Sequence, residues 1–114
     1  MKGIVTLMFL VLCSCVPVTK IPEQRLQAGK QIAFNRDKGN CLACHVIEDG
    51  EYPGNIGPIL QALATRFKSK QQLREQIWDA TQLNSETSMP PFGKNKILSA
   101  EEIDQVVDYL WGIK

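Results

Sequence analysis

The five residues Cys41-Leu42-Ala43-Cys44-His45 carry the densest chemistry in the chain. Two thiols three positions apart, followed at once by an imidazole, form the C-x-x-C-H pattern of c-type haem attachment. The spacing has a physical reason. The thiols must reach two vinyl groups on one edge of a single porphyrin, and the next residue must present a nitrogen to the iron from one side of that plane. One helical turn beginning at Cys41 meets both demands. Two other uses of these residues are weaker. A structural zinc site needs four ligands, and beyond the first fifteen residues no Cys or His lies outside this motif. A thioredoxin-type redox pair follows a strand in a parallel α/β pattern, which the sequence does not offer. A disulfide between cysteines so close would make a strained, reducible loop.

An iron held by one imidazole calls for a second axial group. His45 is the single histidine, and of the methionines Met1 and Met8 fall in an export segment, so Met89 is left to complete a His/Met iron. It lies in Thr87-Ser88-Met89-Pro90-Pro91-Phe92-Gly93, where two prolines remove backbone donors and hold the chain extended, so a side chain is pushed inward at little entropic cost. A thioether ligand favours the ferrous state and raises the reduction potential, which suits an electron acceptor. The alternatives are a loop methionine filling a gap in the core, or an iron whose sixth site is open. Between the two segments, the carbonyl of Pro58 is a candidate acceptor for the other N–H of His45, with Gly57 allowing close approach. A bare Gly-Pro is otherwise a turn signal. Trp78, Tyr109 and Trp111 read as helix packing. Lys38, Lys94 and Lys96 flank the haem segments; they read first as solvated surface and second as a docking site for a partner.

These residues need a frame, and 114 residues suffice for one small domain. The composition is that of a globular protein, 44% hydrophobic and 22% charged. Thirteen basic against twelve acidic residues leave no basic stripe for a phosphate backbone, which excludes nucleic acid as a default partner. With only 7% aromatic residues the domain is short of core, and a covalent macrocycle would enlarge it. Leu26, Ile32, Ala33 and Phe34 among helix-forming residues predict a helix over Glu23 to Asn35, on which Gly29 and Ala33 put small residues on one face where another helix can approach. Asp37 to Asn40 reads as a turn and Glu48 to Pro58 as irregular loop. A short helix is expected over Ile59 to Phe67. Ser69 with Gln72 opens another, through Leu73, Ile77 and Trp78 to about Thr81. Gln82 to Leu98 is a loop of functional length. Ser99 with Glu102 caps a last helix whose Ile103, Val106, Val107 and Leu110 form one apolar stripe. No strand is expected.

At the N-terminus, Lys2 precedes an apolar run, Ile4 to Leu12, too short to span a bilayer but suited to a secretory signal. Leu12-Cys13-Ser14-Cys15 resembles a bacterial lipobox, from which Cys13 departs. Lipidation of Cys15, giving membrane attachment, and ordinary cleavage nearby are both open. The expected division is a signal peptide at 1–15, a leader at 16–22 and a haem domain at 23–114, exported to the periplasm.

The N-terminal helix, the C-x-x-C-H turn, the Gly-Pro, the Met loop and the capped C-terminal helix resemble a class I cytochrome c. The resemblance covers nearly all of the mature chain. It implies an all-α fold of about four helices packed around one covalently bound haem c, with Cys41 and Cys44 holding the macrocycle and His45 and Met89 as axial ligands. Gly39 to His45, Gly54-Asn55-Ile56-Gly57-Pro58, Ser88 to Gly93 and Leu98 to Ile103 are more narrowly similar to the SoxX family, the small haem subunits of SoxAX complexes. That likeness implies a heterodimer with a SoxA-like cytochrome. In such complexes thiosulfate is joined oxidatively to a cysteine of the SoxYZ carrier, an L-cysteine S-thiosulfotransferase reaction. The SoxX-like subunit collects the electrons and passes them to another cytochrome, holding no catalytic residue of its own. Ser85 departs from the pattern, standing where a proline follows the Asn of the Met loop, a change expected to loosen that turn. A free-standing monohaem electron shuttle is the competing reading.

Overall fold

The computed structural model describes residues 19–114. The expected signal segment 1–15, with Cys13 and Cys15, lies outside the described residues. Helix α1 (Glu23–Phe34) starts directly after Pro22, whose carbonyl accepts from the Arg25 N–H at 2.9 Å, and Glu23 places an acid in its first turn. It ends one residue before the expected Asn35, which turns extended and organises the next turn: its side chain accepts from the Asp37 N–H at 2.8 Å, and its carbonyl from Lys38 and Asn40.

Three further helices follow, α2 (Leu63–Arg66), α3 (Lys70–Trp78) and α4 (Ala100–Gly112), with 3₁₀ turns at Cys41–Ala43 and Ala80–Gln82, and no strand among the described residues. Helix α4 begins with a complete capping box: the Glu102 N–H donates to Ser99 Oγ at 3.2 Å and the Ser99 N–H to the Glu102 carboxylate at 2.9 Å. At α3 the box is half made. The Gln72 N–H donates to Ser69 Oγ, but the Gln72 side chain accepts from the N–H of Lys68 instead of Ser69.

Helices α1 and α4 form the centre of the fold. Gly29 is buried so tightly against α4 that a Cβ there would lie 2.0 Å from the Gln105 carbonyl oxygen, which makes the small residue a condition of the crossing. The α4 stripe of Ile103, Val106, Val107 and Leu110 is wholly buried, joined by Ile32 and Ala33 of α1, Leu73 and Ile77 of α3, and Leu63, Phe92 and Leu98. The polar face of α4 is equally committed. Asp108 receives Arg25 at 2.5 Å and Lys70 at 2.7 Å, Asp104 pairs with Arg74 at 2.6 Å, Glu101 with Arg25, and Glu102 with Lys38.

Two expected helices come out shorter. Ile59 to Phe67 is helical only over Leu63–Arg66, because Ala62 sits in the left-handed region at φ 48° and the Leu60 N–H is spent on the Val46 carbonyl at 2.9 Å. The Ala62 N–H is drawn to the Ile113 carbonyl, just past α4, at 3.2 Å. Helix α3 stops at Trp78 because the Asp79 carboxylate captures the Thr81 N–H and opens a new turn, a side chain competing with the helix for its own backbone.

Candidate haem site

Asn40, in the left-handed region at φ 47°, turns the chain into the 3₁₀ turn at Cys41–Ala43. The Cys41 carbonyl accepts from both the Cys44 and His45 N–H groups, at 3.2 and 2.9 Å, so one turn presents both thiols and the imidazole. The thiols are free and half-buried, and burial pushes the Cys41 thiol up to about 11. Residues 54–60 run alongside: Gly54 donates to the Leu42 carbonyl, Gly57 to that of Cys44, and Leu60 to that of Val46, at 2.8–2.9 Å. This brings Pro58 to the imidazole, with His45 Nδ1 at 2.7 Å from the Pro58 carbonyl oxygen. The close approach depends on Gly57, since a Cβ there would come within 2.3 Å of the ring. With Nδ1 donating to a carbonyl, Nε2 is the ring nitrogen left to bind a metal.

Met89 arrives on a different segment. Its N–H donates to Thr87 Oγ1 at 3.2 Å, and its side chain packs half-buried against the core. The preceding turn is closed twice by Asn84, whose carbonyl accepts from the Thr87 N–H and whose side chain accepts from the Glu86 N–H at 3.0 Å. Ser85 is therefore accommodated in a formed turn. Past the prolines, the Phe92 carbonyl accepts from Ile97 and Leu98, burying both Phe92 and Leu98.

Cys41, Cys44, His45, Pro58 and Met89 all line one cavity of about 520 Å³, within the size range of small-molecule and cofactor sites. Its inner wall is the core itself: Leu63, Leu73, Ile77, Phe92, Leu98, Val106 and Leu110. Polar residues complete the lining: Arg66 and Gln76, Asn40 beside the thiols, and Asn84, Glu86, Thr87 and Ser88 of the Met89 loop. A flat apolar macrocycle with two vinyl groups and two carboxylates suits this donor set: thiols for the vinyls, apolar walls for the ring, and an arginine to face a carboxylate. Iron bound in such a ring supplies one-electron redox chemistry.

Trp78, Tyr109 and Trp111 stay off the cavity lining. Trp78 stacks under the Arg74 guanidinium at 5.0 Å, and Tyr109 meets Phe34 edge-on at 6.3 Å. Tyr109 is raised to about 12 by burial, with Asp49 and Glu48 adding to it. The lysines are surface residues, as read from the sequence, two of them with partners: Lys38 pairs with Glu102, and Lys94 lies 3.1 Å from the Asp79 carboxylate. Asp79 itself was not singled out, although Asp79-Ala80-Thr81 carries an Asx-turn signal.

This all-α arrangement, with a C-x-x-C-H turn on one wall and a methionine loop on the same cavity, defines a class I cytochrome c-like fold. The family model described as cytochrome c oxidase, cbb3-type, subunit III matches residues 24–110, and the chain belongs to that family. Among solved structures it is similar to a chain of the crystal structure of SoxXA from P. pantotrophus, with 30% identity over 75% of this chain and 79% of that one and a TM-score of 0.68. The chain is thus a SoxX-like monohaem cytochrome, an electron-transfer subunit with covalently bound haem c. No curated protein sequence matches it.

Proposed function

We propose that this chain is the electron-transfer subunit of a SoxAX-type complex in the periplasm, paired with a SoxA-like cytochrome. The observation that carries the reading is the convergence of Cys41, Cys44, His45 and Met89 on one cavity walled by the core. Cys41 and Cys44 would hold the haem through their thiols. His45 and Met89 would hold its iron. Pro58 fixes the imidazole by accepting its Nδ1–H, which would keep the ring turned to the iron. The reaction served is the joining of thiosulfate to a thiol of a SoxYZ carrier: the S–H bond is lost, an S–S bond forms, and one proton and two electrons are released. The electrons leave singly through this subunit to a downstream cytochrome. A partner surface is supported by Ile56, a cavity-lining residue 73% exposed, and by Leu83, 75% exposed, beside the cavity-lining Asn84.

The test is purification of the haem-loaded protein from its native cells under non-denaturing conditions. Recovery of a second c-type cytochrome in equal amount, with a modified cysteine at its haem, is expected. Recovery of the chain alone from extracts active in thiosulfate oxidation overturns the assignment in favour of a free shuttle.

A further inference from the structure

Asp79 is the buried charged residue of the described core, 6% exposed, and the electron-transfer reading gives it no task. One of its oxygens accepts from the Thr81 N–H at 3.2 Å and from the Thr81 hydroxyl. The other accepts from Gln82 Nε2 at 3.0 Å and lies 3.1 Å from Lys94 Nζ. A carboxylate so deep is costly unless its acceptor positions are filled. Here they are filled, and the hydrogen bonds from Thr81 and Gln82, followed by Lys94, hold the group well below the usual carboxylate range.

The filling groups come from two places in the chain. Thr81 and Gln82 stand where the Met89 loop begins, and Lys94 where it has just passed the prolines. Next to the ion pair, the Trp78 carbonyl accepts from the Gly93 and Lys94 N–H groups at 3.1 and 3.2 Å. A Cβ on Gly93 would come within 2.1 Å of the Trp78 ring, so the two strands of chain are in direct contact. Residues 78–79 and 93–94 thus form a closed base, and Met89 sits in the loop between them.

We infer that Asp79 is a positioning residue for Met89: its pairing with Lys94 clamps both ends of the loop and sets how firmly the thioether stays on the iron. The inference rests on Met89 being an axial ligand. When a ligand leaves the iron, its loop must move; a clamped base opposes that movement and lowers the fraction of time the sixth site is open. An added ligand such as imidazole binds only to that open fraction, so its apparent affinity measures the clamp directly.

The experiment is titration of the ferric holoprotein with imidazole, read by the sulfur-to-iron charge-transfer band and the Soret shift. In the native protein the band is present, imidazole abolishes it, and Met89→Ala lacks it. A native protein without the band removes the Met89 ligand and the inference with it, a result separable from failure of the clamp. Asp79→Asn and Lys94→Gln each remove the ion pair while keeping polar side chains, and each is expected to bind imidazole about fivefold more tightly. The double variant is expected to add little to either single one, because both delete the same pair. Lys96→Gln, which alters a neighbouring charge without touching Asp79, stays within about twofold of the native affinity. Asp79→Ala shows the largest gain; if it yields no folded holoprotein, the two polar variants carry the test. Native imidazole affinity in both Asp79→Asn and Lys94→Gln, with only a lower Tm, overturns the inference and leaves Asp79 a purely structural residue.

Discussion

Where α1 crosses α4, every position has a partner drawn from the protein itself: Gly29 against the Gln105 backbone, the Ile103–Leu110 stripe against α1 and α3, and each acid of the α4 outer face against a base. Around the cavity the same core side chains are satisfied on one side only. The segments facing them, residues 40–62 and 79–98, are mostly turns and loops shaped by short-range hydrogen bonds, four prolines, and left-handed residues at Asn40, Asp49, Tyr52, Ala62 and Lys96. One region is completed by its own sequence and the other by a group the chain must acquire. A small domain can therefore afford loops this irregular only because the cofactor doubles as their core.

The largest test of that contrast is to withhold the cofactor. The double variant Cys41→Ser/Cys44→Ser is expected to lose not only haem but the cooperative thermal transition, because Leu63, Leu73, Ile77 and Val106 would then line an unfilled cavity; a cooperative melt near the native Tm would show the α1–α4 frame to be self-sufficient. A smaller effect comes from damaging the frame alone. Ile103→Ala, at a fully buried position off the cavity lining, should lower unfolding stability by about 2–5 kcal/mol in denaturant titration. The folded fraction should keep its charge-transfer band, and loss of that band would break the division between frame and site.

The smallest effect is electrostatic. Lys38 and the Ser99 backbone lower Glu102, and on Asp108 the hydrogen bonds from Lys70 and Arg25 outweigh the opposing effect of burial. Folded-state values below the unfolded ones mean that the unfolded chain binds more protons in acid. The stabilisation is present above pH 4.5, the ordinary value of Glu102, and is lost as the pH falls below it. Each pair is worth under about 1 kcal/mol, since these groups remain partly in water. Chemical denaturation at pH 7 and pH 3.5 in high and low salt reads both the sign and the screening.

How legible each region was in the sequence follows from the same contrast. Helix α4 could be read nearly to the residue, since a Ser99–Glu102 box and a four-membered stripe depend on local spacing alone. The haem attachment was legible because its spacing is set by the porphyrin, and the pairing of His45 with the Pro58 carbonyl because a ligating imidazole needs a partner for its second nitrogen. What stayed hidden was set by distant groups. Ala62 is held left-handed at the start of α2, with its N–H on the Ile113 carbonyl, and Lys94, though exposed, reaches back along the chain to the Asp79 carboxylate. The early end of α3, by contrast, has a local signal in the Asx turn of Asp79-Ala80-Thr81. Neither the Ala62 bond nor the Lys94 pairing has a signature within one helical turn of itself.

The pairing of α1 with α4 joins the first helix of the domain to the one that follows every other element, and the Ala62–Ile113 bond reaches past even that. Cys41 and Cys44 lie inside the long loop this pairing closes. During synthesis the wall formed by Val106 and Leu110 does not exist until the rest of the domain has emerged, so the thiols are presented on an open chain. A haem attached to that open chain would then be there to meet α4 as the wall closes over it.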